Sequence, residues 1–311
     1  MTLFCLLGSS GGWLTAAACR PRTAPPTPDA RPGANGLLRV TFLDVGQGDG
    51  CVIESPTGKI VVVDGGGHPD TDERGGNDPG ARVIVPFLRS RGVSAVDLII
   101  ATHPHDDHVQ GLIAVTERLR VRQALDGGFP SGPGSPIYRR WRDALRRRGV
   151  PLVVPRRGQV ITLGGGARLE ILGPPPRVLG GHSPENNHSV VLRLVYGRAR
   201  LLFTGDAESE AEADLLASGT DISADLLKIG HHGSRWSSTD AFLDRVTPTL
   251  AVISCGRRNG FNHPHPETLE RLSHRGVRVF RTDRQGAITV ESDGRRLRVT
   301  PTLAPAPQTA P

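Results

Sequence analysis

Apolar residues in this chain come in short runs separated by glycine, proline and polar clusters, and the period of those runs changes along its length. Near the start of the folded part, residues 38–43, 50–55 and 59–64 read as three strands, with Pro56-Thr57-Gly58 as the turn between the last two. Between 82 and 91 the spacing becomes helical, with Val83, Ile84, Phe87 and Leu88 on one face. Within the apolar stretch 96–101, residues 98–101 predict a strand, and 109–118 a helix. A third helix is expected over 138–148. Strands are then predicted at 160–163, 168–172, 189–195 and 200–204. The rest alternates: a helix at 207–218, a strand at 225–229, a helix at 239–245, a strand at 250–254, a helix at 266–275, and strands at 277–280 and 287–290. Strands, helices, strands, helices is the order of an α/β protein in two layered halves that close on each other.

The ends read differently. Residues 1–18 are apolar and rich in small side chains, and Thr15-Ala16-Ala17-Ala18 leads into Cys19. This predicts a secretory leader over 1–19 with lipoprotein-type cleavage before Cys19, hence an exported protein with a lipid anchor there. No Lys or Arg precedes the apolar part, and Ala16 stands where Leu is usual, so a cytoplasmic protein with a disordered start is the alternative. Residues 20–36 form a Pro-rich linker. Residues 37–300 are the folded domain, and 301–311 a disordered Pro/Ala tail.

Composition changes this picture little. Of 311 residues, 37% are hydrophobic and 22% charged, which is ordinary for a globular protein. The net charge of +7 fits an anionic partner such as nucleic acid. The basic residues are nearly all Arg, Lys occurring only at Lys59 and Lys228, which fits a high-GC coding bias equally well. The cysteines, Cys5, Cys19, Cys51 and Cys255, form no CxxC pair, so a thiolate zinc site is not indicated. Cys51 and Cys255 lie in apolar strand-like segments and read as buried small hydrophobes. The Arg-rich 138–148 helix could face a polyanion or simply solvent.

The chemistry concentrates after the 98–101 strand. His103, His105, Asp107 and His108 fall within six residues of one another in Thr102-His103-Pro104-His105-Asp106-Asp107-His108. Imidazole and carboxylate suit Zn²⁺, and Mn²⁺ or Fe²⁺ less exclusively. His103 and His105 can share one ion while Asp107 and His108 reach a second. Further donors stand at other strand ends: Asp206 after Leu201-Leu202-Phe203-Thr204-Gly205, His231 and His232 after Leu226-Leu227-Lys228-Ile229-Gly230, and His188 just before a strand. Asp206 is placed to bridge two ions. Asp64, ending a strand ahead of three glycines, is placed to hydrogen-bond a ligating His. Asp44 and Asp49 flank a Gly-rich turn with no GK[ST] after it, which reads as a structural turn near the metals, with both carboxylates, Asp49 foremost, behind the ligands. Ser234, Asn262, His263 and His265 are candidates to hold substrate oxygens or protonate a leaving group, or else simply build loops.

The His103–His108 run matches HxHxDH, and on it the chain resembles the metallo-β-lactamase superfamily. More narrowly it resembles the soluble metallo-hydrolase domain of ComEC-like DNA-uptake proteins. That resemblance rests on Leu43-Asp44-Val45-Gly46-Gln47-Gly48-Asp49, Val63-Asp64-Gly65-Gly66, the His103–His108 run, 186–192, 202–206, 227–234 and Asn262-His263-Pro264-His265-Pro266. The chain is expected to be a free-standing version of that domain, without the membrane channel of those proteins. The resemblance implies a four-layer αββα sandwich with the metal site at one edge. It also implies two divalent ions, zinc or else manganese. One would take His103, His105 and His188; the other would take Asp107, His108 and one of His231 and His232, with Asp206 between them. His188 departs from many ComEC-like domains, which lack a histidine there. A hydroxide held between the ions would attack a phosphodiester in line. The expected function is therefore a metal-dependent phosphodiesterase on DNA or a related phosphate polymer. The alternatives are a hydrolase of cell-surface choline or teichoic-acid diesters, and a non-catalytic metal-containing binding module. A β-lactamase is disfavoured, since Asp206 stands where many zinc β-lactamases carry Cys.

Overall fold

The computed structural model describes residues 35–67, 78–130 and 134–303. The expected leader, Cys19 and most of the linker lie outside them. The first half supplies β1 (Leu38–Phe42), β2 (Gly50–Glu54), β3 (Ile60–Gly65), β4 (Ala95–Val96), β5 (Leu98–Ala101), β6 (Arg120–Val121), β7 (Ala124–Asp126) and β8 (Leu152–Val153). The second supplies β9 (Val160–Gly164), β10 (Ala167–Ile171), β11 (Leu192–Tyr196), β12 (Ala199–Phe203), β13 (Leu226–Lys228), β14 (Leu250–Ile253), β15 (Arg278–Arg281), β16 (Ile288–Ser292) and β17 (Leu297–Pro301). One sheet runs β17-β16-β1-β2-β3-β5-β7-β8 and the other β15-β14-β13-β12-β11-β10-β9, while β4 and β6 pair only with each other.

Helices cover the outer faces. On the first sheet lie α1 (Val85–Ser90, continuing a π-helical turn at Gly80–Ile84), α2 (Asp106–Arg118) and α3 (Pro136–Arg147). After the short α4 (Pro184–Asn187), the second sheet carries α5 (Ser209–Ala217), α6 (Asp240–Val246) and α7 (Pro266–His274). A last turn, α8 (Thr282–Gln285), precedes β16. Three apolar clusters follow from this layering: one between the sheets, one beneath α1–α3 and one beneath α5–α7. The expected αββα sandwich is the observed fold. Between the sheets Phe42 of β1 stacks on Phe203 of β12, ring centres 5.7 Å apart. No helix among the described residues is long and apolar enough to cross a membrane.

Three differences from the sequence reading bear on the site or the chain's ends. Helix α2 starts at Asp106, not at 109, so Asp107 and His108 sit on its first turn. The carboxylates of Asp106 and Asp107 suit that position, next to unpaired backbone N–H groups. Strand β11 starts at Leu192 instead of 189, because α4 and residues 188–191 first cross to the neighbouring sheet, Val190 N donating to Thr102 O at 2.8 Å. The fold also runs past 300: β17 includes Pro301, and the Thr302 and Leu303 N–H groups bond Ala287 O and Gln285 O. Residues 304–311 lie outside the described residues. At the other end Tyr196 Oη donates to Gly36 O at 2.7 Å, tying the last linker residue to the sandwich.

Candidate metal centre

Strands β3, β5 and β7 are parallel, as are β12 to β15, and polar side chains gather where these strands end. In α/β sheets the crevice beyond the strands' carboxyl ends is the usual binding place. β5 delivers Thr102 and His103, the first turn of α2 delivers Asp107 and His108, β12 delivers Asp206, and β13 delivers His231 and His232. His231 and His232 hold left-handed backbone (φ 46° and 55°), which turns the two rings to different sides of one short turn. Gly48 (φ +110°) admits α2 to the β1–β2 turn. A Cβ there would stand 2.0 Å from Asp107 O, and the adjacent Asp49 N donates to that carbonyl at 3.2 Å.

Asp206 Oδ2 is the hub. It lies 3.3 Å from His108 Nε2, 3.5 Å from His232 Nε2, 3.8 Å from His103 Nε2 and 3.9 Å from His231 Nε2. Asp107 Oδ2 is 3.3 Å from His232 Nε2, and His105 Nδ1 is 3.1 Å from His103 Nε2. Behind this group, Asp64 accepts from Thr102 N and Oγ1 (2.8 Å each) and lies 2.9 Å from His108 Nδ1. Asp49 is closer in than the sequence placed it: with His108, Asp206 and His232 it forms a buried set whose donor atoms all lie within 4.8 Å of one another. His232 Nδ1 sits 3.0 Å from Ser254 O and 3.4 Å from Asp49 Oδ1. His231 Nδ1 lies instead 3.1 Å from Glu208 Oε1 and its ring is half-buried.

The donor set fits divalent cations. His108 Nε2, His232 Nε2 and Asp206 Oδ1 are buried without a hydrogen-bond partner. Buried polar atoms are rarely left so unless something else satisfies them. Burial alone would raise Asp206 and Asp107, but charge on the neighbouring histidines outweighs it and holds both carboxyls well below the usual range. Burial would likewise lower His108 and His232. The carboxylates around them, Asp206 foremost, raise both well above an ordinary imidazole. His103 goes the other way: burial and the charge of His108 keep it neutral, the form that binds metal.

Other candidates divide. His188 ends α4 with its ring edge on Phe129 (5.6 Å) and its Nδ1 buried without a partner. Its neighbour Ser189 accepts from Asp206 N at 3.1 Å, but no ion pair or ring contact joins His188 itself to the hub among the described residues. His263 does join: its ring is 5.3 Å from His231, and burial with the charges of His232, His231 and His265 brings it down to about 3. His265 turns away as the N-cap of α7, its Nδ1 accepting from Arg235 N at 3.2 Å. Ser234 is buried in turn structure, its Oγ accepting from Trp236 N and its carbonyl from Thr268 Oγ1. Asn262 is exposed at φ 58°. Asp44, expected behind the ligands, is exposed and accepts from Gly46 N, because the Gly-rich turn directs only its far end inward.

Several site residues escaped the sequence reading. Lys228, buried at the end of β13, pairs with Asp49 and donates to Ile229 O at 2.9 Å. A lysine closing an apolar strand was its one visible sign. Glu208 holds His231 and accepts from Asn186 Nδ2 at 3.1 Å. Asn259, not Asn262, shapes the 259–263 loop: it accepts from Phe261 N and His263 N and donates to His263 O. Above the hub opens a cleft of about 510 Å³ lined by Asp107, Asp206, His231, His232 and His263, with Phe129 and Phe261 on its walls.

Sandwich and site together define a metallo-hydrolase. Residues 43–257 match the metallo-beta-lactamase superfamily, and the chain belongs to it. It is 31% identical over 261 residues to ComE operon protein 3 of Bacillus subtilis, covering 80% of this chain and 32% of that protein. It is 30% identical over 253 residues to competence protein ComA of Neisseria gonorrhoeae, covering 80% of this chain and 31% of that one. The chain thus spans about a third of the length of these relatives. In fold it is similar to Igni18, a metallo hydrolase from Ignicoccus hospitalis, with a TM-score of 0.51 at 12% identity, covering 81% of this chain and 98% of that one.

Proposed function

We propose that this chain is a metal-dependent phosphodiesterase acting on DNA or a related phosphate polymer. The observation that carries the reading is Asp206 Oδ2 within 3.3–3.9 Å of four imidazole nitrogens at the floor of an open cleft. Asp107, His108 and His232 would hold one divalent ion with Asp49 beside them. His103, His105 and His188 would hold the other, and Asp206 would serve both. Zinc suits these donors best. When bound, such ions activate water as a nucleophile at neutral pH and neutralise charge developing on a phosphoryl group.

The protein's own residues divide the remaining work. Asp64 and Ser254 O orient the rings of His108 and His232 from behind, which fixes the nitrogens that face the cleft. Glu208 does the same for His231, whose other nitrogen is then free to meet a substrate or leaving-group oxygen. His263, neutral at physiological pH, offers a hydrogen bond from the cleft wall but no mobile proton. A link to DNA is supported by the similarity to competence protein ComA of Neisseria gonorrhoeae and by the net charge of +7. We also propose export with a lipid anchor at Cys19, which mass spectrometry of the native protein would test.

The test is metal content together with turnover of bis(4-nitrophenyl) phosphate and oligonucleotides, for the parent, Asp107→Ala and Asp206→Ala. Two ions per chain are expected in the parent, and a loss of turnover of about a hundredfold or more in each variant. Bound metal without turnover of diesters, monoesters or lactams would leave a binding module instead.

A further inference from the structure

The cleft above the hub is not uniformly polar. Phe261, from the loop after β14, and Phe129, from the loop after β7, both line it, so each sheet contributes one ring. Aromatic residues make up only 4% of the chain, and among the described residues Phe261 and Trp236 are the exposed ones. Phe261 is 51% exposed. Its exposure is built into the loop. Asn259 Oδ1 accepts from Phe261 N at 3.2 Å and from His263 N at 2.9 Å, while Asn259 Nδ2 donates to His263 O at 2.7 Å. This clamp lays the phenyl ring nearly parallel to the His263 imidazole, with centres 5.7 Å and planes 23° apart. His263 in turn stands 5.3 Å from His231. Phe261 thus stacks beside His263 while about half of it stays exposed where it lines the cleft.

A clamped, exposed ring beside a charged floor suits a ligand with two different parts. The floor takes an anionic, hydrolysable centre; the ring takes a flat apolar face. Choline, glycerol or ribitol diesters carry no such face, whereas a nucleotide carries one within a few bonds of its phosphate. In a duplex both faces of each base are already stacked, so only an unpaired base can use the ring.

We infer that Phe261 is a nucleobase-stacking residue and that the cleft takes single-stranded nucleic acid, the diester over Asp206 and a neighbouring unpaired base on the Phe261 ring. Phe129 frames the same base-binding space from the first sheet. This rests on the phosphodiesterase reading and adds to it the form of the strand and the residue that selects it.

The test compares the metal-loaded parent, Phe261→Ala and Phe261→Trp on three substrates: a single-stranded oligonucleotide, the same strand with abasic sites, and the duplex. Phe261→Ala should raise KM for the base-bearing strand about tenfold, leave kcat unchanged, and leave the abasic strand unaffected. Phe261→Trp should restore KM. Binding is measured in parallel by fluorescence anisotropy, where the parent should hold the base-bearing strand about tenfold tighter than the abasic one and Phe261→Ala should hold them alike. Equal effects of Phe261→Ala on both strands, or duplex preferred over single strand, would overturn the inference. A parent that cleaves every diester but ignores bases would sink stacking and spare the phosphodiesterase. A parent that cleaves none would sink the phosphodiesterase, and anisotropy would still decide the stacking.

Discussion

At the scale of single residues, the two adjacent histidines of the β13 turn do different work because their backbones turn them apart. His232 Nε2 is buried between Asp107 and Asp206, while His231 is half-buried and held by Glu208. His232→Ala should therefore lower metal content, measured by elemental analysis of the purified protein. His231→Gln should keep the metal and lower kcat by about a hundredfold, the scale of a lost proton donor. Metal loss in both variants alike would contradict this division. His188→Ala belongs to the same experiment: if its unpartnered Nδ1 serves the second ion, that variant should retain one ion per chain.

At the scale of elements, the β13 turn is braced from α5 and α6 by a buried carboxylate. Glu212 accepts from Ser238 N, from Thr239 N at 2.9 Å and from Thr239 Oγ1 at 2.7 Å, where Thr239 is the N-cap of α6. Ser237 Oγ adds a bond to Ala207 O at 2.8 Å, next to Asp206. Burial pushes Glu212 up to about 7 in spite of these donors. The sign follows from that rise. The folded chain holds this proton more tightly than the unfolded one, whose Glu titrates near 4.5, so the group's contribution is intact at pH 4.5 and is lost as pH rises through 7. Relative to Glu212→Gln, the parent should lose up to about 3 kcal/mol between pH 5 and pH 8, read from urea midpoints. A pH-independent difference between the two proteins would count against it.

At the scale of the whole molecule, the site exists only while the two sheets stay in register, since α2 comes with one sheet and Asp206 with the other. Phe203 ends β12 three residues before Asp206, and its stack on Phe42 is part of the apolar layer between the sheets. Phe203→Ala should destabilise the fold by about 3–5 kcal/mol in chemical denaturation, as large-to-small changes in cores do. It should also weaken metal retention before global unfolding. A variant as stable as the parent would mean that the joint lies elsewhere.

The layered α/β order and the HxHxDH run were legible along the chain because both are local. Strand alternation and helical spacing depend on residues two to four apart, and the ligand run lies within a single strand-to-helix connection. Asp64, Asp206 and the His231–His232 pair were legible as polar residues closing apolar strands, a pattern that needs no partner to be seen. The start of α2 at Asp106 was not, because a first turn rich in His and Asp breaks the apolar period while its backbone is already helical. Nor were Lys228, Glu208 and Asn259, whose partners Asp49, His231 and His263 matter only once strand ends meet. The exposure of Phe261, the outward turn of Asp44 and the facing of His265 toward Arg235 belong to the same class. Sequence spacing states which donors a chain owns, but which way a side chain points after a loop, and what lies 3 Å away from it, depends on how the two sheets pack.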